Sequence, residues 1–296
     1  MINTIQGIVD AAKGGASGVI AVAAAHDEPV IEAVVAARRE GIATPILVGH
    51  ADEIRRMLRE QHEDPDAYQI VPADSDTDCA AQAVSLCAQG KANFLMKGIL
   101  GTADLMRAVF NKEQGLRTSH LTTHCMFYEI PALGKMLILT DGGVNTFPDL
   151  EKKAEILENA AAVLQALGYT SINAACICGA EQVNPKVQST VDADALTKMT
   201  DRWAKYNMQV CGPVALDLAV SKEACKHKHF TAPGAGDAEE QDEGHRAFEH
   251  EPRDDLVGGE AAQSCREQAE IFLTFGVTPK TVVGFEYQLE KDGTGI

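Results

Sequence analysis

The stretch that decides the fold is residues 18–49, "GVIAVAAAHDEPVIEAVVAARREGIATPILVG". Two continuous apolar runs, 18–25 and 43–49, flank a segment predicted to be helical over about 29–40. Apolar runs of this length between helices are typical of strands that are buried on both faces. Strand, helix and strand in this order predict parallel neighbours covered by helices.

The same alternation continues along the first part of the chain. The runs "AYQIVPA" and "KANFLMKG" each precede a predicted helix, and the predicted helices lie over 52–61, 75–89 and 102–111. After residue 116, two apolar runs joined by a Pro-Ala-Leu-Gly turn predict a hairpin. We therefore predict an α/β fold with mostly parallel sheets and two domains, 1–116 and 117–237. Residues 238–296 form a divergent tail that begins with an acidic stretch poor in aliphatic residues, which is predicted to be exposed or disordered. The last segment, 270–296, recovers some strand character, but no helix follows it.

Composition narrows the classes of function. The chain has 296 residues, is 45% apolar and carries a formal charge of -17, which argues against nucleic acid as a partner. Its apolar runs are too short to cross a bilayer, so we expect no membrane partner. The eight cysteines form no C-x-x-C pair, and reduced, buried thiols suit a cytoplasmic protein.

A first candidate site lies in residues 134–160, "GKMLILTDGGVNTFPDLEKKAEILENA". Here an apolar run ends before a predicted helix, with Thr146 as its expected N-cap and Pro148 in its first turn. Free N–H groups near a helix start favour an anion. Gly142, Gly143 and Asn145 are therefore candidates for holding a phosphate or an oxyanion. The alternative is a tight turn that needs two glycines and nothing else.

A second candidate site lies in "FLMKGILGTADLMRAVF", residues 94–110. Lys97 and Gly98 lie at the carboxyl end of a predicted strand, where open α/β sheets bind ligands. Thr102 is the expected N-cap of the next helix, and Arg107 lies in its second turn. A cation, a hydroxyl and backbone donors would converge there on an anionic substrate. In the alternative interpretation, Lys97 is solvated and Arg107 pairs with Asp104.

Other chemical signals are weaker. The cluster "CKHKHF", residues 225–230, is better explained as the basic end of a helix than as a metal site. Asp192 and Asp194 are the only close acidic pair in a region where a divalent cation could plausibly bind. Cys125 and Cys211 lack the sequence context of a nucleophile. We therefore predict no bound metal and no resident cofactor.

Four stretches together carry a family resemblance: "MKGILGTADLMRAVFNKEQGLR", "FYEIPALGKMLILTDGGVNTFPDLEKKAEILENAAAVLQALG", "QVNPKVQSTVDADAL" and "GPVALDLAVSKEACKHK". With these motifs in this order, the chain resembles the phosphate acetyl/butyryltransferase family over residues 1–237. The resemblance implies two α/β/α domains with the active site in the cleft between them. It also implies conversion of butanoyl-CoA and inorganic phosphate to butanoyl phosphate and CoA, in butanoate metabolism, by a homo-oligomer.

The resemblance also implies roles for individual residues. Arg107 matches the substrate-binding arginine of the family, so it is expected to hold phosphate or the developing charge. Lys97, Gly98 and Thr102 are expected to bind substrate beside it, together with the loop at 142–145. Coenzyme A enters as a substrate and leaves as a product.

The resemblance stops after "APGAGDA", residues 232–238. The family's late Ser-Arg motif has no counterpart in the tail, so we expect impaired activity. Three alternatives stay open. They are a phosphate acyltransferase for acetyl or another acyl chain, an isocitrate/isopropylmalate-type dehydrogenase with a metal at Asp192 and Asp194, and a non-enzymatic chain that binds CoA.

Overall fold

The computed structural model describes residues 1–130 and 135–236, together with the backbone of two further strands. The elements up to residue 116 are α1 Ile5–Gly14, β1 Gly18–Ala23, α2 Glu28–Arg39, β2 Ala43–Gly49, α3 Ala51–Glu60, β3 Gln69–Pro72, α4 Asp76–Ala88, β4 Phe94–Lys97 and α5 Thr102–Val109. A short 3-10 turn, Pro65–Ala67, precedes β3. Strand and helix alternate as the apolar runs predict.

The remaining elements follow from residue 126 onward. They are β5 Met126–Ile130, β6 Lys135–Leu139, α6 Leu150–Ala166, β7 Ile172–Ile177, α7 Gln188–Thr197, α8 Thr200–Ala204, β8 Met208–Val214, α9 Leu216–Val220, α10 Lys222–His227, β9 Phe272–Gly276 and β10 Val282–Glu286. Apart from the backbone of β9 and β10, the predicted tail at 238–296 lies outside the described residues.

The main sheet has the strand order β10-β9-β4-β1-β2-β3. Strands β4, β1, β2 and β3 are parallel neighbours, with Gly18 opposite Ala43 and Ala23 opposite Lys97. The backbone of β9 pairs antiparallel to β4. The chain runs from β1 outward through β2 to β3 and then returns to the other side of β1 as β4. The β1–β4 boundary is thus a topological switch point, and open α/β sheets bind ligands outside the carboxyl ends of the strands at such a point.

Both faces of this sheet are buried, as the continuous apolar runs predict. Ile20 and Val22 of β1 pack on one face with residues of α2 and α3. Ala21 and Ala23 pack on the opposite face with residues of α4 and α5. Successive side chains of a strand point to opposite sides, so one strand contributes to both cores.

The second part of the chain contains the predicted hairpin. Strands β5 and β6 pair antiparallel, with Met126 opposite Leu139. The Pro-Ala-Leu-Gly turn predicted to join them, 131–134, lies outside the described residues. Strands β7 and β8 form a separate parallel pair. Trp203 of α8 is 2% exposed beside this pair, and its indole Nε1–H donates to the Leu196 carbonyl at 2.7 Å.

Helix α1 was not predicted, and it contacts both parts of the chain. Ile8 packs against the hairpin cluster, which includes Phe127. The backbone N–H of Ile5 donates to a Glu129 carboxylate oxygen at 3.0 Å. At the other end of the helix, Lys13 pairs with Glu40 of the first part. The division into domains at residues 116 and 237 stays a prediction.

Two predicted helix caps are wrong. Helix α5 is capped by Gly101, so Thr102 is its first residue. Helix α6 begins at Leu150, and its N-cap is Asp149 rather than Thr146. The Asp149 side chain accepts from the Lys152 N–H at 2.9 Å. Aspartate is at least as good an N-cap as threonine, and the later start leaves the preceding residues as bends.

No helix among the described residues is long and apolar enough to span a membrane.

Candidate active site

At the switch point, backbone hydrogen bonds join the loop after β4 to the end of β1. The N–H of Gly98 donates to the carbonyl of Ala23 at 2.8 Å, and the N–H of Ile99 donates to that of Ala24 at 3.0 Å. A Cβ atom on Gly98 would lie 2.1 Å from the Ala24 oxygen. The β1 and β4 loops can therefore approach this closely only because residue 98 is glycine.

Ala24 adds a local signal of strain at the same place. Its φ is 57°, in the left-handed region, although it carries a Cβ and is fully buried. For an alanine this conformation costs roughly 1–2 kcal/mol. Strained residues concentrate at functional sites, where the surrounding structure holds them in place. The strain therefore points to the same edge of the sheet as the topology.

Lys97 provides a partly buried cation at this edge. Its Nζ donates to the carbonyl of Leu100 at 3.3 Å and lies 3.5 Å from the carbonyl of Gly98. The ammonium group therefore bends over the loop that leads into α5. An ammonium group carries three N–H donors, so one N–H of Lys97 stays available to an anion when the other two donate to these carbonyls.

Arg107 lies on the exposed side of α5, the helix after β4. Its side chain is 70% exposed, and its Nη1 lies 2.5 Å from Oδ1 of Asp104. The ion pair predicted as the alternative interpretation is present. Thr102, at the first position of the helix, is exposed. The helix thus begins with an open hydroxyl and carries a guanidinium group one turn later.

The loop at 141–145 is largely hydrogen-bonded within itself. Oδ1 of Asp141 accepts from the N–H groups of Gly143 at 3.1 Å and Val144 at 2.9 Å. The side-chain amide of Asn145 donates to Oδ2 of Asp141 at 2.6 Å and to the Thr122 carbonyl at 2.9 Å. Burial opposes ionisation of Asp141, but these donors outweigh it and lower its pKa.

The donors expected to face phosphate in that loop therefore already have a carboxylate acceptor. A phosphate on Gly143 or Asn145 would have to displace Asp141. Gly142 has open space around its Cα atom. The tight-turn alternative accounts for this geometry, and a binding role for the three residues stays a prediction.

A pair of histidines was missed by the sequence reasoning. The rings of His26 and His50 stack with centroids 3.9 Å apart and planes inclined by 14°. A Cβ atom on Gly49 would lie 2.5 Å from Nδ1 of His26, so this glycine makes room for the ring. Burial, followed by the charge of His50, lowers the pKa of His26. The available signal was that both histidines follow neighbouring predicted strands at their carboxyl ends.

The two aspartates considered for a metal ion face different lysines. Oδ2 of Asp192 lies 2.5 Å from Nζ of Lys153, and Oδ2 of Asp194 lies 2.6 Å from Nζ of Lys198. No group of three or more potential metal ligands occurs within residues 1–130 and 135–236. Neither carboxylate is free for a cation, and this arrangement does not favour the dehydrogenase alternative.

The two cysteines considered as nucleophiles are buried thiols. Burial raises the pKa of Cys125 and of Cys211 to about 11. Since the thiolate is the reactive form, such groups are poor nucleophiles at neutral pH. Any acyl transfer at this site is therefore better served by direct attack of a bound nucleophile.

Comparison with known proteins establishes the class. The family model described as "Phosphate acetyl/butaryl transferase" matches residues 3–82 and 76–239. The chain belongs to this family of phosphate acyltransferases, which are enzymes. The predicted resemblance is confirmed.

Individual relatives give the degree of similarity. The chain is 41% identical over 239 residues to a phosphate butyryltransferase of Clostridium acetobutylicum, covering 81% of this chain and 79% of the relative. It is 37% identical over 237 residues to a phosphate acetyltransferase of Thermotoga maritima, covering 79% of each chain. A branched-chain phosphotransacylase from Enterococcus faecalis V583 superposes with a TM-score of 0.66 at 26% identity, over 90% of this chain and 91% of that one. The predicted α/β fold class is confirmed.

Proposed function

We propose that this enzyme is a phosphate butyryltransferase, which transfers the acyl group of butanoyl-CoA to inorganic phosphate. The observation that carries the proposal is a pair of cations next to the switch point: Lys97 ends β4, and Arg107 lies on the helix that follows it. The 41% identity to a phosphate butyryltransferase supports the acyl chain, and other relatives act on acetyl or branched chains. Coenzyme A is a substrate here, and we propose no resident cofactor or metal.

The proposed chemistry needs positioning more than activation, because phosphate is already nucleophilic at neutral pH. A phosphate oxygen attacks the thioester carbonyl carbon, and a tetrahedral oxyanion forms. The C–S bond then breaks with its electron pair on sulfur, and the CoA thiolate takes a proton from solvent. Holding phosphate in line with the carbonyl removes much of the entropic barrier, and cations stabilise the developing charge.

Arg107 is proposed to hold the phosphate, and Lys97 to add positive charge at the same edge. Gly98 is proposed to keep the two loops close, and Thr102 to offer its exposed hydroxyl. Residues 142–145 are proposed to form part of the wall of the cleft. We also propose two domains that meet at this cleft, a homo-oligomeric assembly, a cytoplasmic location and a role in butanoate metabolism.

The test is release of free CoA thiol from butanoyl-CoA, with and without inorganic phosphate, by the purified 296-residue chain. We expect phosphate-dependent release at a reduced rate, since residues 238–296 depart from the family pattern. Release that ignores phosphate would overturn the proposal. Binding of CoA by a folded chain without turnover would identify the non-enzymatic alternative. Acetyl-CoA and branched acyl-CoA in the same assay distinguish the acyl preference.

The role of Arg107 is tested by Arg107→Gln. We expect the KM for phosphate to rise by roughly ten-fold or more, because a charge-assisted hydrogen bond contributes about 1.5–3 kcal/mol. Arg56→Gln is the matched control, since Arg56 also pairs with an exposed carboxylate, Glu60 at 2.7 Å, but lies on α3. Equal phosphate KM values in the two variants would remove Arg107 from the site.

A further inference from the structure

Asp104 and Arg107 form an ion pair that can open. The pair lies on one face of α5, three residues apart, with Arg107 70% exposed and Asp104 33% exposed. Arg202 shows the contrast: two carboxylates, of Glu151 at 2.6 Å and Glu158 at 2.7 Å, hold it, and its side chain is only 23% exposed. Among the residues that the structure describes, Arg107 therefore has a single, partly exposed partner, whereas Arg202 is held in place by two carboxylates.

The carboxylate of Asp104 also lies over the first turn of α5. A Cβ atom on Gly101, the N-cap, would lie 3.2 Å from Oδ2 of Asp104. The N–H of Asp104 donates to the Gly101 carbonyl at 3.1 Å. Helix N-termini attract anions through their free N–H groups and dipole. Asp104 thus places its negative charge between a helix start and a guanidinium, which are the two groups that a bound phosphate would use.

We propose that Asp104 is an internal competitor of phosphate at Arg107. This inference rests on the proposed function, because it requires Arg107 to bind phosphate. With the site empty, the carboxylate neutralises the guanidinium and keeps it oriented toward the start of the helix. Phosphate binds by exchanging with the carboxylate, so Asp104 raises the concentration of phosphate needed for saturation and sets the affinity of the site.

The expected effect follows from the exposure of the pair. Exposed ion pairs contribute about 0.2–1 kcal/mol, which corresponds to a roughly 1.4- to 5-fold change in an equilibrium constant. Removing the charge in Asp104→Asn should therefore lower the KM for phosphate by roughly 1.4- to 5-fold. The KM for butanoyl-CoA should not change, because the carboxylate competes only with the anion on Arg107.

Three variants separate competition from a merely structural role. Asp104→Asn keeps the shape and removes the charge, and Asp104→Glu restores a carboxylate that reaches the same arginine. We expect the phosphate KM to fall in the first variant and to return toward the wild-type value in the second. A KM that is unchanged or raised in Asp104→Asn would overturn the proposal, because Asp104 would then be irrelevant to phosphate binding or would position Arg107 for it.

A double variant keeps this failure distinct from failure of the proposed function. In an Arg107→Gln background, Asp104→Asn should have no further effect on phosphate saturation. If Arg107→Gln is too slow to assay, binding of inorganic phosphate by calorimetry replaces the kinetic measurement. An effect of Asp104→Asn that persists without the arginine would overturn the competition. A normal phosphate response in Arg107→Gln alone would instead refute the role proposed for Arg107.

Discussion

Replacing Lys153 by methionine should destabilise the second part of the chain, because it leaves a buried carboxylate without its cation. The side chain of Asp192 is 8% exposed, and Nζ of Lys153 lies 2.5 Å from its Oδ2. Gln188 donates to the other carboxylate oxygen at 2.7 Å. Burial opposes ionisation of Asp192, but the hydrogen bonds from Lys153 and Gln188 outweigh it and lower its pKa.

The magnitude follows from what remains after the substitution. Removing one partner of a buried pair costs about 3–5 kcal/mol. Lys153 is 27% exposed, so water reaches the site, and Gln188 still serves one oxygen. We therefore expect Lys153→Met to lower the free energy of unfolding by about 3 kcal/mol, at the low end of that range. Methionine retains most of the aliphatic stem, so lost packing contributes little.

The assay is urea unfolding followed by the fluorescence of Trp203, the only tryptophan of the chain. Trp203 packs with Ala154, the neighbour of Lys153 in sequence, so it reports on this region. Lys152→Met is the matched control. Its Nζ is 3.5 Å from an Asp149 oxygen and both side chains are exposed, so Lys152→Met should lower the stability far less than Lys153→Met.

The pH dependence adds a second criterion. In the wild type the folded-state pKa of Asp192 is below its ordinary value, so its stabilising effect is present above pH 4 and is lost at lower pH. Without Lys153, burial dominates and raises the pKa. The folded variant then takes up a proton more readily than the unfolded chain, so its deficit should shrink between pH 7 and pH 5. Equal losses in Lys153→Met and Lys152→Met, or a deficit that grows as the pH falls, would refute the reasoning.

Two further predictions concern the carboxyl edge of the main sheet. Gly98→Ala would place a methyl group 2.1 Å from the Ala24 oxygen. We therefore expect the free energy of unfolding to fall by about 1–3 kcal/mol and kcat/KM to fall on the order of 100-fold. Gly14→Ala is the control, because a methyl group there would meet no neighbour. The lowered pKa of His26 means that the unfolded chain binds a proton more readily, so stability should fall as the pH drops from 7.5 through 6.5. Thermal unfolding at pH 7.5 and 5.5 should show a smaller difference in His26→Gln than in the wild type, and an equal or larger one would contradict this reasoning.

The elements of the main sheet could be predicted because their signal is local. A strand buried on both faces needs a continuous apolar run, and such a run is visible without knowing its neighbours. Helix α1 gives no such signal, since none of its residues is fully buried. The apolar side of α1 packs against the hairpin and α6, which are more than a hundred residues away. The predicted start of α6 was wrong for a different reason. Thr146 and Asp149 are both acceptable N-caps, and local sequence rules do not rank them.

The residues of the candidate site also differ in whether local sequence predicts their positions. Lys97 and Gly98 could be placed at the edge of the sheet because they lie at the carboxyl end of a predicted strand. The stack of His26 on His50 depends on the parallel register that sets Ala23 opposite Val48, which no short stretch of sequence specifies. The hydrogen bonds that close the Asp141 loop likewise depend on where its side chain points.

The two cations of the proposed site differ in the groups that they contact, and this difference bears on how the site would bind an anion. The formal charge of -17 opposes phosphate and CoA at long range, but at physiological salt that field is screened beyond roughly 8 Å. The groups next to the anion would therefore determine how strongly it binds. Lys97 rests on backbone carbonyls, whose dipoles leave its charge in place, whereas Arg107 rests on a carboxylate that cancels its charge. In the proposed site, Lys97 would thus supply a standing positive charge, and Arg107 would supply its charge only to an anion that displaces Asp104.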